Sequence, residues 1–124
     1  ATPEVSSVRD ADRIIGLLES MGKAPIRLVL NRIRAGMVKK GDMLDVPDVL
    51  DILAIELIGV IPDDDRVLTS SNKGEPLTMR GHSPATKAFT NIGYRLTGED
   101  IPFMDLVERA KGGVFGKVKE LFGL

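Results

Sequence analysis

The stretch IRLVLNR, residues 26–32, decides the fold that this chain can adopt. Its branched and apolar residues suit a covered strand of a sheet, although a run this short also fits a buried helix. Pro25 before the run and the loop around Gly36 after it favour the strand. Ligands of open α/β sheets bind beyond the carboxyl ends of the strands, so Asn31 and Arg32 lie where a site is expected.

A second stretch, LIGVIPD at residues 57–63, repeats this design of an apolar strand followed by a polar turn. We expect the strand to end at Ile61, because Pro62 has no N–H to donate to a ladder. Residues 34–44 between the two strands read as a loop, and Asp45 with Pro47 opens a helix after it. Strand, helix and strand together predict an α/β fold with parallel strands.

The first residues of the chain predict a helix with two different faces. Thr2 suits the N-cap and Pro3 the first helical position, apolar residues follow at helical spacing, and Gly22 ends the helix. The polar face carries Glu4, Ser6, Arg9, Asp10, Asp12 and Arg13. Such a face is either a solvated surface or a docking face for a partner, and the pattern alone leaves both interpretations open.

Three adjacent carboxylates, Asp63 to Asp65, follow the second strand. They invite a metal-site hypothesis, but the run lacks the alternating spacing and closing Glu of a calcium loop. We expect Asp64 to be the N-cap of a helix over residues 66–72 instead. Ser83 and Pro84 open a further helix that packs on the sheet and closes at Gly98, and residues 101–110 read as a short amphipathic piece.

Composition limits the class of protein. The chain has 124 residues, which is enough for one domain, and a net charge of −1, which argues against a general nucleic-acid binder. It has no Cys, so neither a disulfide framework nor a thiolate site is expected. No apolar run approaches the roughly 20 residues that span a bilayer. The start at Ala1, almost directly in a helix, suggests a piece of a larger protein.

The end of the chain differs from the rest, so we divide the chain into residues 1–110 and 111–124. Lys111, Gly112 and Gly113 suit a hinge before an amphipathic helix. Its apolar face carries Val114, Phe115, Val118, Leu121 and Phe122, and its polar face carries Lys117, Lys119 and Glu120. This pattern fits a helix lying in a membrane interface, and it equally fits a helix packed on its own domain or on a partner.

Several of these segments together resemble a known family. The resemblance is carried by residues 2–13 (TPEVSSVRDADR), Asn31-Arg32, residues 37–44 (MVKKGDML), 59–64 (GVIPDD), 71–76 (SNKGEP) and the tail. In this order and without an insert, the chain resembles the C-terminal half of the MinD family of septum-site-determining ATPases. That family belongs to the deviant Walker A (ParA/MinD) group of P-loop ATPases.

The resemblance implies half of a three-layer P-loop sheet, in a cytoplasmic protein that binds ATP with Mg²⁺. ATP would drive a homodimer onto the inner face of an anionic cell membrane, or its plastid equivalent, through the C-terminal helix. The dimer would recruit the division inhibitor MinC, and MinE would stimulate hydrolysis and release.

The resemblance also assigns roles to individual residues. Asn31, with Arg32, would read the adenine edge, while Pro62, Asp63 and Asp64 would line the base, largely through backbone. Partner and dimer contacts would come from the first helix, through Glu4, Ser6, Arg9, Asp10 and Asp12.

This sequence departs from the family pattern in having no Gly-rich phosphate loop and no Walker B Asp. Backbone N–H groups and a Lys must cradle the phosphates, so we expect this chain alone to be inactive and its sheet to have an open edge. Two alternatives remain. The first is a ParA-like ATPase that positions DNA or other cargo, which is expected to have a basic surface. The second is a non-catalytic interaction module, which would use only the acidic first helix and the tail.

Overall fold

The computed structural model describes residues 1–106. Within this range the chain folds into a parallel pair of strands covered by helices on both faces. The elements are α1 (Val5–Ser20), β1 (Arg27–Ile33), α2 (Ala35–Lys40), α3 (Val46–Leu53), β2 (Glu56–Pro62), α4 (Asp65–Lys73), a 3₁₀ turn (Leu77–Met79) and α5 (Pro84–Leu96). The predicted α/β class with parallel strands and flanking helices is confirmed.

The two strands pair with irregular register at each end of the sheet. Leu28 lies opposite Leu57 and Val29 opposite Gly59, so Ile58 is an extra residue in β2. At the carboxyl end, Leu30 lies opposite Val60 but Ile33 lies opposite Pro62, which leaves two residues of β1 against one of β2.

This second bulge corrects our expectation that β1 ends in a polar pair. Asn31 and Arg32 lie inside β1, and Arg32 takes a left-handed φ of 60°. In a regular strand, residues three apart point to opposite faces. The bulge resets this alternation, so Leu30 and Ile33 both enter the same core cluster. Pro62 was also expected outside the strand, but it is the last residue of β2.

Two apolar clusters cover the opposite faces of the sheet. The first joins α1 and α3 to the strands through Val8, Ile15, Leu28, Leu30, Ile33, Val49, Leu53 and Val60. The second joins β2 to α5 through Ile61, Ala85 and Ala88, with Ile92 and Met104 packed beside them. The sheet is therefore the middle of three layers.

Gly59 sets the distance between β2 and α5. A Cβ atom built on Gly59 would lie 2.3 Å from Ile92 Cδ1, closer than real side chains approach each other. Glycine at this position therefore lets the helix lie directly on the strand.

The start of α1 differs from the sequence prediction. The helix begins at Val5 with Glu4 as N-cap, and the Glu4 side chain makes no capping hydrogen bond. Residues 1–3 are held elsewhere: the Ala1 carbonyl accepts the Asn31 N–H at 2.8 Å, and the Pro3 carbonyl accepts the Leu44 N–H at 3.2 Å. The contact of Ala1 with β1 and the contact of Pro3 with Leu44 keep Thr2 and Pro3 out of the helix.

Part of the predicted loop over residues 34–44 is helical, because α2 occupies Ala35–Lys40 and ends at Gly41 in the left-handed conformation. The three predicted polar caps are confirmed. Asp45 accepts the Asp48 N–H, Asp64 accepts the Arg66 N–H, and Ser83 accepts the Thr86 N–H. Each oxygen satisfies a backbone donor that the first helical turn leaves free.

The predicted amphipathic piece over residues 101–110 is not helical where the structure describes it, at residues 101–106. Among the described helices, none combines the length and the apolar character that crossing a bilayer requires. The predicted hinge and tail, residues 111–124, lie outside the described residues.

Candidate functional site

The carboxyl ends of β1 and β2 form the edge at which the sequence places a site. The two strand ends are tied by the Asp63 N–H, which donates to the Ile33 carbonyl at 3.0 Å. The parallel pairing therefore brings the residues after both strands to one edge, as parallel sheets require.

Asp63 is the electrostatic centre of this edge. Its carboxylate accepts from Arg34 Nε at 2.5 Å and from Arg32 Nε at 3.4 Å, while the side chain is only 24% exposed. The hydrogen bond from Arg34 holds the pKa of Asp63 below its ordinary value, against the opposing effect of burial, and Arg32 adds to the lowering. Asp63 is thus an ionised carboxylate neutralised by two guanidinium groups.

The other carboxylate of the predicted site has a structural role. Asp64 Oδ1 accepts the Arg66 N–H at 2.9 Å and caps α4. Arg66 Nη1 in turn donates to the His82 carbonyl at 3.2 Å, which ties α4 to the loop before α5. Within residues 1–106, no group of three or more His, Cys, Asp or Glu side chains is placed to hold a metal ion.

These elements enclose an open cleft of about 870 Å³. Pro62, Asp63 and Asp64 line one side of it, and Arg34 lies beside them. Residues 82–84 and Leu106 also line the cleft. The cleft therefore combines apolar walls with charged groups and backbone polar groups, which is the usual character of a small-molecule site.

The structure gathers part of the predicted set and separates the rest. Pro62, Asp63 and Asp64 line the cleft together, and Arg32 reaches its rim through the ion pair with Asp63. Asn31 does not line the cleft, because its side-chain oxygen accepts the Arg32 N–H at 2.9 Å inside the bulge.

Sequence reasoning missed Arg34, Ser83 and Leu106 as cleft residues. Arg34 could have been found, since a cation two residues beyond the Asn-Arg pair lies at the same sheet edge. Leu106 could not, because it is 44 residues from Pro62 along the chain and no motif marks it.

The predicted partner face of α1 is exposed. Glu4, Ser6, Arg9, Asp10 and Asp12 all face solvent. Asp10 forms an exposed ion pair with Arg13 at 3.7 Å, a type of contact that contributes little to stability. The face is thus available, and its role stays a prediction. The predicted membrane residues, Val114, Phe115, Lys117, Val118, Lys119, Leu121 and Phe122, lie outside the described residues.

Comparison with known proteins gives a consistent result. The chain is 47% identical to septum site-determining protein MinD of Bacillus subtilis over 124 residues, covering 99% of this chain and 46% of that protein. It is 52% identical to the Synechocystis MinD over 107 residues, covering 86% and 40%. No family model matches. The chain spans about half the length of the curated relatives it matches.

Solved structures agree with these relatives. The MinC:MinD cell division protein complex of Aquifex aeolicus matches with a TM-score of 0.81 and 48% identity, covering 85% of this chain and 43% of that one. MinD of Pyrococcus horikoshii, complexed with Mg-ADP, shares the fold with a TM-score of 0.70 at 21% identity, covering 79% and 39%.

The three-layer arrangement and these structural likenesses define an α/β protein of the P-loop ATPase fold. Within that class, the chain is over nearly its whole length a relative of septum site-determining protein MinD.

Proposed function

We propose that this chain supplies the adenine side, the partner face and the membrane tail of a MinD-type cell-division ATPase. The observation that carries the proposal is the 47% identity to a MinD over 99% of the chain. The cleft at the carboxyl ends of the strands supports it, since this edge is where α/β proteins bind nucleotides.

The residues of the cleft fit a nucleotide base and do not fit a resident magnesium ion. Pro62 and Leu106 offer apolar contact to a flat ring, and the backbone around Asp63 offers polar groups for its edge. Asp63 is already paired with two arginines and Asp64 caps a helix, so neither carboxylate is free for a metal. Mg²⁺ and the phosphates of ATP would be held by a phosphate loop that these 124 residues do not contain.

Membrane attachment is assigned to the tail, at residues 114–124. Burying each large apolar side chain contributes roughly 1.5–3 kcal/mol, and each nearby Lys adds about 1 kcal/mol on an anionic surface. Ordering the backbone costs about 1–2 kcal/mol per residue, so one short tail binds weakly. Two tails held in an ATP-dependent homodimer gain an avidity of roughly 10²–10⁴-fold. Such a protein is cytoplasmic and peripheral on the inner face of the membrane only while dimeric.

Partner binding is assigned to the exposed face of α1. The Aquifex aeolicus MinD is found in a complex with MinC, which supports a MinC-type partner for this chain. Asp10 and Asp12 present carboxylates on that face, and a MinE-type factor would compete for the same surface. Charge complementarity then predicts basic groups on the partner opposite Asp10 and Asp12, and acidic groups opposite Arg9.

Cosedimentation of the full-length protein with vesicles of phosphatidylglycerol and phosphatidylcholine tests the proposal. We expect binding with ATP, weak binding with ADP, and loss of binding on truncation after Lys111 or in Phe122→Glu, which places a charge in the apolar face. Leu68→Glu, which changes the charge by the same amount at an exposed apolar residue of α4, is the matched charge control. Equal vesicle binding with ATP and with ADP would refute ATP-dependent dimerisation as the switch. Vesicle binding that persists after truncation would refute the tail as the membrane anchor.

A further inference from the structure

Residues 101–106, which we call the strap, cross from one face of the sheet to the other. Met104 packs against the second core cluster, and Leu106 packs against the first. The strap therefore contacts both faces, and its end at Leu106 lies at the carboxyl end of the sheet, where the cleft is. Leu106 arrives there half-buried and lines the cleft beside Pro62 and Ser83.

The other end of the strap is fixed by Arg95, near the carboxyl end of α5. Arg95 Nε donates to the Ile101 carbonyl at 2.9 Å, and Nη2 donates to the Pro102 carbonyl at 3.1 Å. Its Nη1 donates to the Ile58 carbonyl at 2.9 Å, and the guanidinium carbon lies 4.0 Å from the centre of the Phe103 ring. The planar guanidinium has donors in a fixed fork, so one side chain can hold strand, helix and strap together.

The hydrogen bond from Arg95 to the Ile58 carbonyl connects the strap to β2 at a register shift of the sheet. Ile58 is the extra residue of β2 at the amino-end irregularity. Arg95 therefore binds β2 at the one point near that end where the ladder is interrupted. Helix, strand and strap form a single fixed joint, and only a few residues separate this joint from Leu106.

We propose that Leu106 is part of the base-binding wall of the cleft and that Arg95 is the positioning residue that holds it there. This inference rests on the proposed nucleotide function and deepens it. The ligand is the purine ring of an adenine nucleotide, whose flat apolar face matches Leu106 and Pro62, since both line the cleft. Arg95 does not touch the nucleotide and acts through the path of the strap.

Calorimetric titration of the full-length protein with Mg-ADP, and separately with magnesium pyrophosphate, tests the inference. We expect Leu106→Ala and Arg95→Ala each to weaken Mg-ADP binding about three- to tenfold, the size of effect that loss of one apolar contact gives. Pyrophosphate has no base, so its affinity stays unchanged. Arg95→Lys also weakens Mg-ADP binding, because an ammonium group cannot reach three carbonyls in the same geometry.

Matched variants separate positioning from general damage. Leu96→Ala removes the same atoms from a side chain that is 62% exposed, and Arg80→Ala removes an arginine of the exposed pair with Glu75. Both should bind Mg-ADP like the unmodified protein. The double variant Arg95→Ala/Leu106→Ala should lose no more than the more affected single variant, because both changes remove one contact.

Two results would overturn the inference while leaving the proposed function intact. One is Mg-ADP affinity in Leu106→Ala and Arg95→Lys equal to that of the controls. The other is an equal loss for Mg-ADP and pyrophosphate, which would mean general destabilisation. If Arg95→Ala does not fold, Arg95→Lys and Leu106→Ala carry the test. Failure of the unmodified protein to bind Mg-ADP would overturn the proposed function, and this inference with it.

Discussion

Replacing Gly59 with alanine should destabilise the protein, because the new side chain meets helix α5. The added Cβ would lie 2.3 Å from Ile92 Cδ1 and 2.4 Å from Ile92 Cγ1. Both separations are far below van der Waals contact, so Ile92 must leave its rotamer or the helix must move. Overpacking of this kind costs about 1–3 kcal/mol.

Shortening Ile92 in the same molecule should remove that penalty. The Ile92 Cβ lies 3.8 Å from the added atom, which is an ordinary contact. Ile92→Ala alone should cost about 2 kcal/mol, at the low end for such truncations because Ile92 is half-buried. Adding Gly59→Ala to this variant should then cost nothing further. The two changes should therefore show a coupling free energy of about 1–3 kcal/mol.

Urea unfolding of the full-length protein, followed by far-ultraviolet circular dichroism, measures these differences. Gly93→Ala is the matched control, since Gly93 lies in α5 next to Ile92 and a Cβ built on it has no atom within 4 Å. Alanine there should stabilise by about 0.5–1 kcal/mol, as expected for a helix interior. Additive effects of Gly59→Ala and Ile92→Ala would refute the argument, and so would a Gly59→Ala protein as stable as its parent.

Three further predictions concern the carboxylates. The pKa of Asp63 is lower in the folded protein than the ordinary carboxyl value of 3.8, so its ion pairs stabilise the fold at pH values above 3.8. This stabilisation is lost as the pH falls through the pKa of the folded state. The Tm of the unmodified protein should therefore drop more steeply below about pH 4 than that of Asp63→Asn, and parallel Tm curves would contradict the ion pair with Arg34. Asp64→Ala should lower the free energy of unfolding by about 0.5–2 kcal/mol and Asp64→Asn by much less, because Asn also caps; equal losses in urea unfolding would exclude the capping role. Asp10→Ala should weaken capture of a MinC-type partner in pull-down titration and leave Mg-ADP affinity unchanged, whereas unchanged capture would make this face an ordinary solvated surface.

The sequence predicted the helix caps and the strand pair correctly, because both depend on residues close together in the chain. Asp45, Asp64 and Ser83 were identified as helix caps because a side-chain oxygen next to a helical pattern has few other roles. The parallel strand pair followed from two apolar runs separated by a helix. These features depend on residues close together in the chain, so their physical causes are visible in sequence.

Features that depend on distant contacts were missed. Thr2 and Pro3 have the composition of a helix start, but hydrogen bonds from Ala1 to β1 and between Pro3 and Leu44 keep them outside the helix. The bulge at Arg32 places a non-glycine residue at positive φ, which no local preference predicts. α2 is only six residues long and carries Gly36, so its helical pattern is too weak to distinguish from a loop.

The residues of the candidate site also fall into two groups: those that the sequence placed correctly and those that depend on distant contacts. Pro62, Asp63 and Asp64 follow a strand directly, and the rule for parallel sheets places them at the cleft. Asn31 follows the same rule, but the bulge turns its side chain back to the backbone of Arg32. Arg95 lies in a helix more than 30 residues from Ile58, and only the packing of α5 on β2 brings the two together.

The contacts of Arg95 with backbone carbonyls also bear on how this region can change over evolutionary time. A carbonyl is present whatever the side chain, so substitutions at Ile101 or Pro102 leave the acceptors of Arg95 in place. For these hydrogen bonds the constraint thus falls on one helical position, while Ile101 and Pro102 can vary. A chain built in this way can vary residues 101 and 102 while keeping the course of the chain at this point fixed.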